Sequence, residues 1–238
     1  MGNQRDSDRP GGTEVLASDV FEDASNVLLL GSPMDSTTLE TGVSLAAGER
    51  PAETRVVWVT MLNSSREVLD LWDAHCSVRP DRFRIVLVGD GLADIDAVDD
   101  PNVETESLPD PTDLTTLGIK LTEIVSSWTD DGAEVRLRFD SLTPLLQYVP
   151  ARTLARFLHV LTNTLAMAGV TAHFHLDPMA HDSQTVYTIA SICHARVAVD
   201  GDGVSVTHRS CTHNVLVACC YRSAVLLWPL GSRSRTSR

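Results

Sequence analysis

From residue 26 onward, short apolar runs alternate with longer amphipathic stretches. Asn26 to Leu30 is an apolar run that stops at Gly31, the pattern of a buried strand entering a tight turn. Ser36 to Ala47 follows with Leu39, Val43 and Leu45-Ala46 on or near one helical face, and Gly48 ends it. The same alternation recurs downstream. Arg55 to Thr60 and Phe83 to Val88 read as buried strands, and a helix capped by Ser64 or Ser65 lies between them. The stretch 94–110 reads as a surface loop with at most a short edge strand at Val103 to Leu108. Asp113 to Trp128 is amphipathic at helical spacing, through Leu114, Leu117, Leu121 and Ile124.

Glu134 to Phe139 predicts a further strand running into Asp140. Pro150 opens a helix over Ala151 to Ala168, as proline does at a first turn. Val170 to Leu176 is the next strand, Asp182 to Cys193 the next helix, and Ala195 to Thr207 a hairpin around Asp200-Gly201-Asp202-Gly203. Strands separated by helices imply an α/β fold with a mainly parallel sheet covered on both faces. Residues 1–24 read as a flexible polar leader, 25–208 as one domain with a C-terminal hairpin, and 209–238 as an irregular tail.

Composition changes this picture in three ways. The chain has 238 residues and a net charge of −13, and Lys120 is its only lysine. That balance argues against a nucleic-acid surface, which needs clustered cations. It fits either a simply acidic protein or one adapted to high salt, where dense carboxylates keep a surface soluble. No apolar signal segment opens the chain, and Val215 to Leu230 is too short and too interrupted to span a bilayer. Cys76, Cys193, Cys211, Cys219 and Cys220 show no CxxC spacing, so a reduced, cytoplasmic protein without a membrane anchor is expected. Finally, no Asp or Glu follows Asp202, while Arg209, Arg222, Arg233, Arg235 and Arg238 do. Such a break suits a basic tail for an acidic partner or an altered reading frame, and the second fits the tail's poor punctuation better.

The turn after the first strand is the candidate chemistry. A phosphate loop reads G-x-x-x-x-G-K-[ST], with lysine for the outer phosphates and a hydroxyl for magnesium. Here Gly31-Ser32-Pro33-Met34-Asp35-Ser36-Thr37-Thr38 keeps only Gly31 and Thr38. Ser36 replaces the second glycine, and Thr37 replaces the lysine. Asp35 adds a negative charge where a triphosphate would approach. The helix start still offers free amides to an anion.

Two further segments give the turn a context. Val135 to Phe139 followed by Asp140-Ser141-Leu142 looks like a Walker-B strand, and Val57-Trp58-Val59-Thr60-Met61-Leu62-Asn63-Ser64 looks like a Val-Thr-Phe-Glu-Glu-Ser/Thr segment. In that order these segments resemble the RecA/KaiC superfamily over roughly Val27 to Leu176, nearest to uncharacterised KaiC-like proteins of halophilic archaea. The resemblance implies a RecA-like three-layer sandwich, an ATP-binding core that often forms rings, and regulatory roles. Carried over by position, Gly31, Ser36, Thr37, Thr38, Asp140 and Ser141 form a degenerate nucleotide site, with Thr38 and Asp140 toward a magnesium ion held through ATP. Leu62 and Asn63 stand where the family has catalytic glutamates. Without lysine or glutamate an efficient ATPase is not expected, and no catalytic residue is assigned.

Three readings follow. The first is a regulatory module that binds another protein or its own copies. The second is a weak ATP or anion sensor, and the third is an ATPase completed by a neighbouring subunit. Outside this site, His173 and His175 share one strand face and with Asp177 and His181 form a candidate metal cluster, against the plainer reading of polar residues at a strand exit.

Overall fold

A computed structural model describes residues 24–89, 98, 100–201, 203–209 and 221–226, with residues 209 and 221–226 as backbone. In chain order the elements are β1 (Asn26–Leu30), α1 (Ser36–Ala47), β2 (Thr54–Thr60), α2 (Ser65–His75), β3 (Arg82–Val88), β4 (Val103–Leu108), α3 (Leu114–Thr129), β5 (Glu134–Asp140), α4 (Leu142–Tyr148), α5 (Ala151–Met167), β6 (Thr171–Leu176), α6 (Ser183–Ala190), β7 (Ala195–Asp200), β8 (Gly203–Arg209) and β9 (Tyr221–Leu226). Residues 1–23 of the leader, most of 209–238 and most of the 94–99 stretch lie outside the described residues.

The strands form one sheet in the order β4-β3-β2-β5-β6-β1-β7-β8-β9. From β4 to β7 every pairing is parallel, and β7-β8 and β8-β9 are antiparallel. With helices on both faces this is a three-layer α/β sandwich with a mainly parallel sheet, carrying the expected antiparallel hairpin at one end. Within the tail segment, Tyr221–Leu226 pairs with β8 and gives that strand a neighbour on its second side. At the other end β4 is the edge strand, and its Glu104 and Glu106 are of the charged kind that keeps an edge from pairing further.

Local chemistry explains the helices. Ser64 and Glu67 form a reciprocal capping box at the start of α2. Asp113 caps α3 by accepting from Thr116 N, and Asp182 caps α6 by accepting from Thr185 N. α4 is absent from the hydrophobic pattern because it has seven residues and contains Pro144. That proline sits in the first turn, where its missing N–H costs no helical hydrogen bond, and Ser141 caps the helix through Thr143 N.

Helices α3, α5 and α6 cover one face of the sheet. Leu117, Leu121, Leu158, Leu161 and Ile189 there meet Leu28, Val57, Leu137, Phe139 and Phe174 in the largest apolar cluster. On the other face, α1 and α2 pack Val43, Ala46, Leu69 and Trp72 over Val56, Trp58, Phe83 and Ile85. Trp72 and Phe83 meet edge to face, with centroids 5.2 Å apart. A smaller cluster joins Leu45 of α1 to Val27, Leu29, Ala195 and Val197. Between these two clusters α1 crosses β5 and β6, and there the layer beneath it is polar.

Candidate functional site

The carboxyl ends of β1, β5, β6 and β2 lie side by side, the usual place for a ligand in a parallel sheet. Gly31 leaves β1 and turns the chain toward α1. A Cβ on Gly31 would fall 2.3 Å from Thr38 Oγ1, so only glycine lets this threonine close down on the strand. Thr38 is buried, Thr37 half-buried and Ser36 exposed.

Asp35 is the N-cap of α1. Its Oδ2 accepts from Thr38 N at 2.8 Å and from Thr38 Oγ1 at 2.9 Å. A carboxylate of the chain itself therefore sits on the helix N-terminus, where a phosphate would otherwise be favoured. The hydroxyl expected to face magnesium donates to that same carboxylate.

Asp140 ends β5 and is 7% exposed. Two residues earlier on the same strand face lies Arg138, 1% exposed. Arg138 Nη2 donates to Asp140 Oδ1 at 3.3 Å. The guanidinium also lies 4.7 Å over the Trp58 ring, and a Cβ on Gly42 of α1 would come within 2.0 Å of Arg138 Nη1. Glycine at position 42 is what allows α1 to pass over the arginine.

His175 of β6 completes the cluster. Its Nε2 donates to the Gly31 carbonyl at 3.0 Å, and its Nδ1 lies 3.4 Å from Asp140 Oδ1, an ion pair when the ring is protonated. Burial pushes the Asp140 carboxyl up, but Arg138 and His175 outweigh it and hold the group below the ordinary carboxylate value. Ser141 turns away from this cluster. Its Oγ donates to the His175 carbonyl at 3.1 Å and caps α4. The six positions carried over from the family pattern thus lie at one sheet edge, but Thr38 and Asp140 are each bound to other side chains of this protein.

Thr60 at the end of β2 stands in register with Asp140. Its hydroxyl accepts from Asn63 N at 3.2 Å. Leu62 projects to solvent and Asn63 is half-buried, so no carboxylate follows β2 at this edge. These residues fit Mg-ATP poorly: the donor carboxylate is engaged by a fixed cation, the hydroxyl by Asp35, and Thr37 carries no charge for an outer phosphate.

The sequence does not mark Arg138 and His175 as partners of Asp140, nor Gly42 as the residue that makes room for Arg138. The two-residue spacing of Arg138 and Asp140 on a strand was the available signal for the first. His175 and Gly42 come from β6 and α1, and only the fold brings them in. His173 is buried in mid-strand rather than at a strand exit. Burial first, then Arg136 and Arg138, hold its pKa well below the ordinary 6.5. Among the described residues no group of three or more His, Cys, Asp or Glu side chains is placed to hold a metal ion, so His173, His175, Asp177 and His181 do not converge. No described helix is long and apolar enough to cross a membrane.

A family model described as a family of unknown function, DUF7504, matches residues 24–199. No curated protein matches the chain. Among solved structures the chain is similar to the protein of a structural study of project PH0250 from Pyrococcus horikoshii OT3, at 14% identity and a TM-score of 0.52, over 76% of this chain and 84% of that one. It is also similar to the KaiC-like protein PH0186 from the same archaeon, at 15% identity and a TM-score of 0.46, over 86% of this chain and 89% of that one. The first of these likenesses extends to the fold alone.

Proposed function

The chain belongs to this family of unknown function, DUF7504, and from that premise we propose that it is a catalytically degenerate RecA/KaiC-like module that acts in regulation by binding protein, without efficient ATP hydrolysis. The observation that carries this reading is the commitment of Asp140 to Arg138, a buried cation 3.3 Å away. A buried carboxylate paired with a fixed guanidinium gains little from a hydrated divalent ion, because binding the ion means breaking the existing pair. The engagement of Thr38 by Asp35 and the absence of lysine at Thr37 support the same reading from the other half of the site.

What remains useful is the scaffold: a rigid sheet edge and two layers of helices able to present a surface to a protein partner or to a second copy. Isothermal titration with Mg-ATP in high salt tests the reading. No heat and no thermal shift are expected. Restoring the lysine alone, as Thr37→Lys, is expected to leave the titration flat, since Asp35 and Arg138 still hold the remaining donors. Measurable heat would overturn the reading in favour of a nucleotide sensor. Phosphate release abolished by Asp140→Ala would favour an ATPase completed by a neighbouring subunit.

A further inference from the structure

Helices α3 and α5 lie side by side on the sheet face opposite α1. Each leads into one of two adjacent parallel strands, β5 and β6, so the two helices run the same way. Over their seam opens a groove of about 960 Å³. Gly118, Ile119, Phe157, Val160 and Leu161 line its middle, and there Ile119 is 53% and Val160 64% exposed. A Cβ on Gly118 would come within 3.3 Å of Phe157 Cε2, a contact that fixes the level of one helix against the other.

Charges along the groove are sorted by sign. Arg156 lines it toward the N-terminal end of α5, and Arg152 stands one turn earlier on the same helical face. Glu123 and Asp130 line it toward the C-terminal end of α3. All four are exposed, and none forms an ion pair among the described residues. Helix stability does not account for them. A cation in the first turn of α5 and an anion at the C-cap of α3 both oppose the helix dipole.

A face that is basic at one end, acidic at the other and apolar between is complementary to itself turned end for end. Counted from the Gly118–Phe157 contact at about 1.5 Å per residue, the midpoint of Arg156 and Glu123 and that of Arg152 and Asp130 both fall within about 4 Å, along the helices, of Ile119 and Val160. A two-fold axis lying in the face at that level, oblique to the helices, brings the basic end of each copy toward the acidic end of the other. Two helices of roughly 25 Å set about 10 Å apart, with α6 beside them, offer about 600 Å² a side, which is the lower bound of a specific interface.

We propose that this face pairs two copies of the chain about a two-fold axis, with Arg152 and Arg156 of each copy meeting Glu123 and Asp130 of the other around an apolar centre of Ile119 and Val160. The pairing names a surface and an occupant for the protein-binding reading above, and rests on that reading only in that the module acts by binding protein. The face lies across the sheet from Asp140 and is independent of what Asp140 binds.

Sedimentation equilibrium on the full chain, in the lowest salt that keeps it folded, tests this. A species of twice 25.9 kDa is expected to build up as the concentration rises from about 5 to about 300 µM. Ile119→Asp with Val160→Asp is expected to raise the dissociation constant at least about a hundredfold. Arg152→Glu with Arg156→Glu gives a chain acidic at both ends of the groove, and Glu123→Arg with Asp130→Arg one basic at both ends. Each is expected to be monomeric alone, and their mixture to form a one-to-one dimer. Every changed residue is exposed, so the circular dichroism of all chains stays alike. A native chain that is monomeric throughout overturns the proposal. So does a dimer that survives Ile119→Asp with Val160→Asp, or a mixture of the two charge-reversed chains that stays monomeric. A monomer with a flat Mg-ATP titration overturns the pairing and leaves the degenerate-module reading standing. Heat with Mg-ATP from a chain whose dimer follows the charge exchange overturns that reading and supports the pairing.

Discussion

The two faces of β5 and β6 come from the same strands and are buried alike, yet they are held by different forces. Toward α3 and α5 the strands present Val135, Leu137, Phe139, Ala172, Phe174 and Leu176, all within one apolar cluster. Toward α1 they present Arg136, Arg138, Asp140, His173 and His175, of which the last four are no more than 7% exposed. The apolar face is stabilised by area removed from water and by close packing, at about 25 cal/mol per Å². The polar face has to recover the cost of desolvating its charges, and does so through the Arg138–Asp140 and Arg136–Glu134 ion pairs, a cation over an indole and a histidine bonded to the Gly31 carbonyl. Its account is incomplete, since Arg138 Nε and His173 Nδ1 have no hydrogen-bond partner. The first face tolerates changes of detail. The second is a network whose members depend on one another, and it lies where the resemblance places a nucleotide.

The largest expected effect tests that dependence. Arg138→Met strands the Asp140 carboxylate in the interior and is expected to cost about 3–5 kcal/mol in denaturant unfolding, whereas Arg138→Met with Asp140→Asn recovers most of the loss. A single change costing under ~1 kcal/mol would mean that the pair does not hold this face together. On the apolar face Leu137→Ala is expected to cost about 2–5 kcal/mol, while Leu137→Met costs less than ~1.5 kcal/mol, because there volume matters more than the identity of the group. Gly42→Ala drives a methyl into the Arg138 guanidinium and is expected to cost about 1–3 kcal/mol, with less loss in a chain that also carries Arg138→Met.

The smallest expected effect is on pH. The folded-state pKa of His173 lies below the ordinary 6.5, so the unfolded chain takes up the proton first. The stability this histidine contributes is complete above pH 6.5 and declines as the pH falls from there toward the lowered folded value. Asp140, also lowered, loses its contribution further down, starting near the ordinary 3.8. Unfolding free energies measured from pH 7 downward are expected to fall earlier in the native chain than in His173→Phe. Equal slopes would place the acid sensitivity elsewhere.

Most of the fold was legible in the pattern because its signals are local. The first strand run ends at Gly31, a cap stands at Ser64, and helical spacing is clear from Leu114 to Ile124. The degenerate turn was legible too, since Thr37 in place of lysine is a matter of residue type. Less visible was the state of the residues that survive. Alternation in Glu134 to Asp140 ordinarily marks a strand with one wet face. Here α1 covers the polar side as well, and nothing within β5 announces that.

The amino-acid sequence by itself therefore determined the order of elements, the α/β class and the chemical losses at Thr37, Leu62 and Asn63, because each depends on neighbours a few residues away. Only the tertiary structure decided that Asp140 and Arg138 are buried together with His175 beside them, that His175 reaches the Gly31 carbonyl, and that Gly42 makes room for a buried guanidinium. Those contacts join β1, α1, β5 and β6, with His175 reaching the Gly31 carbonyl across 144 residues of chain, and the energy of a charge depends on what surrounds it once the chain has closed.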